Sequence, residues 1–134
     1  MRLMSFSMTT EAYRYRKKFV TRRLGWGNLK IGDNFMGVEK AMGLKRGEKV
    51  KKIAPAVCVQ NEPEPLMDIV RRPVRESGIP EVVLEGFPEL TPLEFVEMFV
   101  KHNKIDPEHV VNRIAFDYCR YLKPMQRPLV PEAP

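Results

Sequence analysis

The sequence predicts an α+β domain, built on a curved antiparallel sheet or small β-barrel with short helices packed on it. Three observations support this class: the first segment alternates in strand fashion, the first half is rich in strand-like segments, and one capped helix precedes a last strand. The chain has 134 residues, which is enough for a single core. The sequence has no regular alternation of strands and helices, so we do not expect a doubly wound parallel sheet.

The chain begins with a predicted strand and a short helix. Residues 2–8 alternate with the period of two that a half-buried strand requires. Thr9 or Thr10 then offers an N-cap, and Glu11 in the first turn suits the positive end of the helix dipole. This helix ends in cations and leads the chain to Lys18.

Three more strands are predicted before residue 61, over 19–23, 35–42 and 49–60. In the first of them, alternation places Thr21 and Arg23 on the same face. In the third, Pro55 implies an edge position or a bulge. We expect the core side of this third strand to carry Ile53, Val57 and Val59.

A proline pair follows the long strand. The segment 61–66 contains Pro63 and Pro65, and two prolines so close together remove backbone donors and restrict the residues before them. We therefore expect a shaped loop here and no regular secondary structure.

Helices dominate the next part of the sequence. Pro80 opens a predicted short helix that ends at Glu85. Thr91 and Glu94 form a capping box at the start of the best-defined helix, which we expect over residues 91–102. A final strand is expected over residues 111–118, with Ile114, Phe116 and Tyr118 on one side.

Composition restricts the class of protein. The chain is 43% hydrophobic and 30% charged, and no apolar run approaches the roughly 18 residues of a membrane span. The start lacks the apolar core and cleavage site of a signal peptide, so we expect a cytoplasmic protein with no membrane role. Residues 1–122 are expected to form the domain, and residues 123–134 a loose, proline-rich tail.

No metal or cofactor is expected. Cys58 and Cys119 are too few for a disulfide framework and lack the paired spacing of a zinc site. His102 and His109 are seven residues apart around a proline, which is a weak spacing for a metal pair.

The charge is unevenly distributed. The net charge is +6, and residues 1–52 hold 14 of the 23 Lys and Arg but 4 of the 17 acids. Such a split favours a basic face that binds a polyanion, with phosphate as the obvious contact, because each phosphate that a cation neutralises releases a condensed counterion. The alternative is a solvated surface rich in ion pairs.

Several residues are candidates for this binding face. Cations would contact phosphate, and Trp26 in its Gly-Trp-Gly loop could stack on a base, although a lone tryptophan often belongs to a core. Asn61 and Glu62 could read a base edge, or could form a rigid surface turn. The candidate cations are Arg16, Lys17, Arg22, Arg23, Lys45 and Arg46.

Five segments in order resemble the ASCH family, whose members share a small β-barrel related to the PUA RNA-binding domain. Together they lie within residues 3–121. The segments are Lys18-Phe19-Val20-Thr21-Arg22-Arg23, Ile31-Gly32-Asp33, Glu62-Pro63 with Leu66, Glu85-Gly86-Phe87, and Ile114-Ala115-Phe116.

The resemblance implies a small PUA-like barrel that binds RNA or recognises a nucleoside, in a cleft beside Lys18, Thr21 and Arg23. It also implies an alternative, an amidohydrolase that deacylates N4-acetylcytidine-type nucleosides. In that branch Thr21 would be the nucleophile, Lys18 its base and Glu85 the carboxylate that positions the base or protonates the leaving amine. A simpler interpretation is an ion pair between Lys18 and Glu85 beside an ordinary strand threonine. A further possibility is an adaptor that uses the proline-rich tail.

Overall fold

The fold contains one five-stranded sheet and four helices in residues 1–119, the part of the chain that the computed structural model describes. The predicted tail lies outside these residues. The elements, in chain order, are β1 (Arg2–Ser5), α1 (Thr10–Arg14), β2 (Val20–Arg23), β3 (Asn34–Val38), β4 (Lys52–Pro65), α2 (Asp68–Arg71), α3 (Glu81–Leu84), α4 (Pro92–Asn103) and β5 (Val110–Tyr118).

The sheet is mixed and curls into a half-barrel. Its strand order is β1-β3-β4-β5-β2, so the chain's first two strands lie at opposite edges. The pairs β3–β4, β4–β5 and β5–β2 are antiparallel, whereas β1 and β3 are parallel. The α+β class is confirmed, and the prediction of a wholly antiparallel sheet is wrong for β1. The reason is that α1, β2 and the loop after it form a crossover between β1 and β3.

The prediction of an irregular loop over 61–66 is wrong, because β4 continues to Pro65. Pro63 pairs with Asn112 and Pro65 with Val110 in the β4–β5 ladder. The prolines are two residues apart, so their nitrogens face the same edge of the strand. Beyond residue 57, β5 is the one described strand that pairs with β4. An edge without a partner strand accommodates two residues that have no backbone N–H.

The buried side of β4 also differs from the prediction. Ala56 and Cys58 are buried, whereas Val59 is 41% exposed and Val57 is intermediate. Small residues therefore face the core, and the β-branched valines lie on the other face of the strand. Pro55 lies in β4 between β3 and β5 and pairs with Met36, and the β3–β4 register shifts between Gly37 and Val38, so a bulge lies near Pro55 without including it.

Three of the four helices agree with the sequence patterns, whereas α2 forms where a short strand or turn is expected. α3 begins directly after Pro80, and α4 begins after Thr91 with both hydrogen bonds of the capping box present. α1 follows Thr9 as expected, although the Thr9 side chain makes no capping bond. Among residues 1–119, no helix is long and apolar enough to cross a bilayer.

Two apolar clusters stabilise the fold. The first fills the half-barrel with side chains from β1, α1, β3, β4 and β5, including stacked Phe6 and Tyr13 rings 4.0 Å apart. The second packs α2, α3 and α4 against the beginning of β5 and includes Phe95 and Val111. Strand β5 therefore contributes to both clusters, through Val111 to the second and Ile114 to the first.

Gly37 makes room for the Tyr13 ring. A Cβ added at Gly37 would lie 2.2 Å from a ring carbon of Tyr13, and Tyr13 is buried with its hydroxyl donating to the carbonyl of Ala54 at 2.8 Å. The ring cannot move aside without losing this bond and its stacking on Phe6.

We expect Gly37→Ala to destabilise the fold by about 3 kcal/mol or more, because an added methyl overpacks the site. Urea unfolding followed by circular dichroism measures the change. Gly27→Ala is the matched control, because its Cβ would meet nothing closer than 3.7 Å. An unchanged unfolding midpoint for Gly37→Ala would contradict this packing.

Candidate functional site

A cavity of about 400 Å³ lies where the half-barrel is open. The end of β1 forms one wall and β2 the other, so the cavity occupies the seam between the two outer strands of the sheet. Helix α4 and the segment after α3 close it on a third side. Among the described residues, its walls include Phe6, Lys18, Thr21, Arg22, Arg23, Trp26, Glu85, Phe87, Met98 and Phe99.

Lys18 and Glu85 form a buried ion pair on this cavity. Lys18 is 2% exposed and Glu85 is 2% exposed, and the lysine Nζ lies 3.0 Å from Glu85 Oε1. The same Nζ also donates to the main-chain carbonyl of Glu85. Both the carboxylate and the backbone of Glu85 therefore hold the lysine head group.

Gly86 allows this close approach. Its φ is +93°, a left-handed conformation that glycine adopts without strain, and an added Cβ would lie 3.0 Å from that of Ala12. The glycine lets α3 end directly against α1 and the start of β2. Glu85 is thereby placed over Lys18.

The surroundings of Lys18 make it easier to deprotonate than an ordinary lysine. Burial lowers the pKa of Lys18 below its ordinary 10.5, and the charges of Arg23 and Arg22 act in the same direction. The attraction and hydrogen bond of Glu85 act the other way, but they do not outweigh burial. The neutral amine is the form of lysine that can accept a proton, and a lowered pKa makes that form easier to reach.

Arg22 lies at the centre of a buried ion-pair network. Its guanidinium is completely buried and contacts Glu85 at 2.8 Å, Glu81 at 2.7 Å and Glu64 at 3.2 Å. Arg113 of β5 binds both oxygens of Glu81, at 2.8 and 2.9 Å. The network joins β2, β4, β5 and α3 directly beside the Lys18–Glu85 pair.

Glu81 is ionised within this network. Burial acts to raise its pKa, but hydrogen bonds and charge from Arg113 and Arg22 outweigh burial, and the pKa lies below the ordinary 4.5. The carboxylate is completely buried. It is stable there because two guanidinium groups contact it.

Thr21 and Arg23 face the cavity together, as alternation in β2 predicted. Arg23 Nε donates to Thr21 Oγ1 at 3.0 Å, and the Arg23 guanidinium lies 4.8 Å from the centre of the Phe6 ring. Within residues 1–119, the hydrogen bonds of Lys18 Nζ go to Glu85 and none goes to Thr21. The threonine and the lysine therefore share a cavity without a direct bond.

The tryptophan loop is fixed by Asn61. The Nδ2 of Asn61 donates to the carbonyl of Trp26 at 2.9 Å and to that of Leu29 at 2.8 Å. The guanidinium of Arg2 covers the indole of Trp26 at 4.0 Å. Trp26 lines the cavity, whereas Asn61 acts from outside by holding its loop.

The other candidate residues lie away from the cavity walls. Arg16 and Lys17 are exposed between α1 and β2, and Arg16 covers the ring of Tyr118 at 5.3 Å. Lys45 and Arg46 are exposed in the loop between β3 and β4. Glu62 is exposed on β4, where Gln60 donates to it at 3.4 Å. These four cations are exposed and do not line the cavity, and Glu62 does not line it either.

Sequence reasoning missed the wall that α4 supplies. Met98, Phe99, His102 and Asn103 line the cavity, although the helix itself was predicted. The Glu85-Gly86-Phe87 segment carried a usable signal. Glu85 was expected beside Lys18, and α4 begins only a few residues later, so the start of α4 must lie close to the same site.

The lining of the site combines charged and polar groups with apolar ones. It includes an amine, a hydroxyl, guanidinium groups and a carboxylate, together with aromatic and thioether side chains. Its volume lies in the range of small-molecule pockets. No family profile, no curated protein and no solved structure matches this chain.

We expect the free energy of unfolding to fall as the pH drops below 4.5 towards the lowered pKa of Glu81. The unfolded chain takes up the proton first, so acid favours unfolding in this window. Glu81→Gln should lower stability at neutral pH by about 3 kcal/mol, because Arg22 and Arg113 lose a charged partner, and should flatten the acid slope. Urea unfolding between pH 3 and pH 7 measures both effects.

Glu108→Gln is the control for this experiment, because Glu108 pairs with Arg71 at the exposed surface. It should retain the wild-type acid slope and most of the wild-type stability. If Glu81→Gln shows the same acid slope as the wild-type protein, Glu81 is not held ionised as described.

Proposed function

We propose that this chain is an ASCH-type, PUA-like domain that binds a nucleoside-like ligand in the seam cavity, either free or as part of single-stranded RNA. The observation that carries the proposal is the mixed polar and apolar lining of that cavity. A nucleoside has polar base edges and apolar base faces, and the cavity is lined by Lys18, Thr21 and Glu85 as well as by Trp26 and Phe99.

The positions of the motifs in the fold support the same proposal. Segments that resemble ASCH motifs are far apart in the sequence, at Lys18–Arg23 and at Glu85–Phe87. In the fold, residues from both segments line one cavity and Lys18 bonds to Glu85. A chance likeness of two short motifs gives no reason for them to come together.

Trp26→Ala should weaken nucleoside binding about 5–150-fold, because one stacked base contributes roughly 1–3 kcal/mol. Isothermal titration calorimetry with cytidine and N4-acetylcytidine measures the affinity. Tyr15→Ala is the matched control, because Tyr15 is 65% exposed and lies outside the cavity. Equal losses for both variants, or no binding by the wild-type protein, would contradict the proposal.

The same proteins can be titrated with single-stranded RNA at several salt concentrations. If the exposed cations contact phosphates, log affinity falls with log salt with a slope of about −0.7 for each phosphate neutralised. Replacing Arg16, Lys17, Lys45 and Arg46 with Gln should then flatten the slope. A flat response in the wild-type protein, together with nucleoside binding, identifies the ligand as a monomer.

A second candidate function is amide hydrolysis on an N4-acylated cytidine. The observation that favours it is the lowered pKa of Lys18, because a lysine that loses its proton more easily can serve as a base. Thr21 lines the same cavity, and its hydroxyl accepts a bond from Arg23. The hydroxyl proton is therefore available for donation to a base.

In that reaction Thr21 Oγ1 attacks the acyl carbonyl carbon while Lys18 takes the hydroxyl proton. The amide C–N bond then breaks, the leaving amine receives that proton, and an acyl ester on Thr21 remains. Water hydrolyses the ester and restores the threonine. Glu85 holds the lysine amine in place through its carboxylate and its carbonyl.

We expect Thr21→Ala to reduce release of cytidine from N4-acetylcytidine by at least ~10²-fold, while Thr21→Ser retains activity because the hydroxyl is kept. The rate should rise with pH through the lowered pKa of Lys18, below 10.5, since the base must be neutral. Chromatography of the products measures the rate. Activity that survives Thr21→Ala excludes this nucleophile, and no release by the wild-type protein excludes the hydrolase while leaving ligand binding intact.

A further inference from the structure

Arg23 differs from the other cations around the cavity because it has no carboxylate partner within residues 1–119. Lys18 pairs with Glu85, and Arg22 pairs with three glutamates. Two further, partly buried arginines of the network are also paired, Arg75 with Glu64 and Arg113 with Glu81. Arg23 instead donates a hydrogen bond to the neutral hydroxyl of Thr21 and makes a cation–π contact with the ring of Phe6.

A largely buried guanidinium without a counter-charge is costly unless a ligand supplies that charge. Burial lowers the pKa of Arg23 to about 10 even though the charge of Glu85 partly opposes the shift. The three carboxylates of the network are all engaged by other cations at 3.2 Å or less. The charge of Arg23 is therefore left for whatever enters the cavity.

We propose that Arg23 forms an oxyanion subsite in the seam cavity, so that the ligand carries a phosphate or carboxylate beside its base. This inference rests on the proposed function, because it specifies the chemistry of the same ligand. Since the ligand would be anionic, a nucleotide or a carboxylated base fits the cavity better than an uncharged nucleoside.

The placement of Arg23 suits this role. Its guanidinium lies over the Phe6 ring, so that ring supports one face of the planar group. Its Nε is engaged by Thr21, which fixes the orientation and leaves the two terminal nitrogens to bind an oxyanion bidentately. Ser5 and Ser7, on either side of Phe6, add hydroxyl groups to the same wall.

The test compares ligands that differ by one anionic group. Cytidine 5′-monophosphate is titrated against cytidine, and 5-carboxycytosine against cytosine, so that the two arms distinguish phosphate from carboxylate. In the wild-type protein the anionic member of at least one pair should bind about 10–100-fold more tightly. In Arg23→Gln the ratio of the two affinities within each pair should fall to about one.

Arg72→Gln is the matched control, because Arg72 is exposed and its side chain makes no ion pair within residues 1–119. It removes the same charge from the protein without touching the cavity. Arg23→Lys, which keeps the charge but loses the planar fork, should recover part of the preference. Folding is checked by thermal unfolding without ligand, and Arg23→Gln should still unfold in one cooperative transition, because no carboxylate loses its partner.

Inorganic phosphate provides a probe that does not depend on nucleoside binding. It should raise the unfolding temperature of the wild-type protein and of Arg72→Gln, and leave that of Arg23→Gln unchanged. Equal affinity for both members of both pairs would overturn the subsite and leave the proposed function in place. Protection by phosphate that needs Arg23, without binding of any nucleoside or base, would overturn the proposed function and support the subsite. Equal loss in Arg23→Gln and Arg72→Gln would overturn the subsite as well.

Discussion

The buried guanidinium of Arg22 connects parts of the chain that are distant in sequence. It contacts Glu64 of β4, Glu81 of α3 and Glu85 just after α3, while Arg113 of β5 binds Glu81 from another side. Burying such a charge is unfavourable unless its partners are in place, so the network specifies how α3 sits against the sheet. The position of α3 in turn determines where Glu85 meets the cavity. Loss of one partner would leave a buried charge uncompensated.

The cavity exists because the sheet does not close. In a complete barrel β1 and β2 would pair, whereas here they form the two outer strands, and the space between them is bounded by side chains and by α4. Phe6 after β1 and Arg23 of β2 contact each other across this gap. The same open seam that costs the sheet two rows of backbone hydrogen bonds exposes the polar face of β2 to a ligand.

Local sequence patterns predicted much of this arrangement, but they did not predict the contacts between residues that are distant in sequence. The capping box located α4 and alternation in β2 put Thr21 and Arg23 on one face, because both signals depend on neighbours in sequence. The pairing of Lys18 with Glu85 was expected from a resemblance between motifs and not from any local rule. The extent of β4 was mispredicted because proline is a strong local signal against a strand. Beyond residue 57, however, β4 pairs with β5 alone among the described strands, so the backbone N–H groups that Pro63 and Pro65 lack have no partner to lose on the other edge. The burial of Arg22 among carboxylates depends on the β2–β5 pairing, which no short segment encodes.

That pairing also determines when the site is completed. Thr21 lies opposite Ile114 and Arg22 opposite Arg113, so a strand near the start of the chain is flanked by one near its end. During synthesis the first cations leave the ribosome long before the strand that shelters them. Until then β2 has no neighbour in the sheet, and the guanidinium of Arg22 remains in water. Among the described elements, β5 is therefore the one that completes the surroundings of Arg22, and a nascent chain that stops before residue 110 would carry Lys18, Arg22 and Arg23 without the strand that pairs with β2.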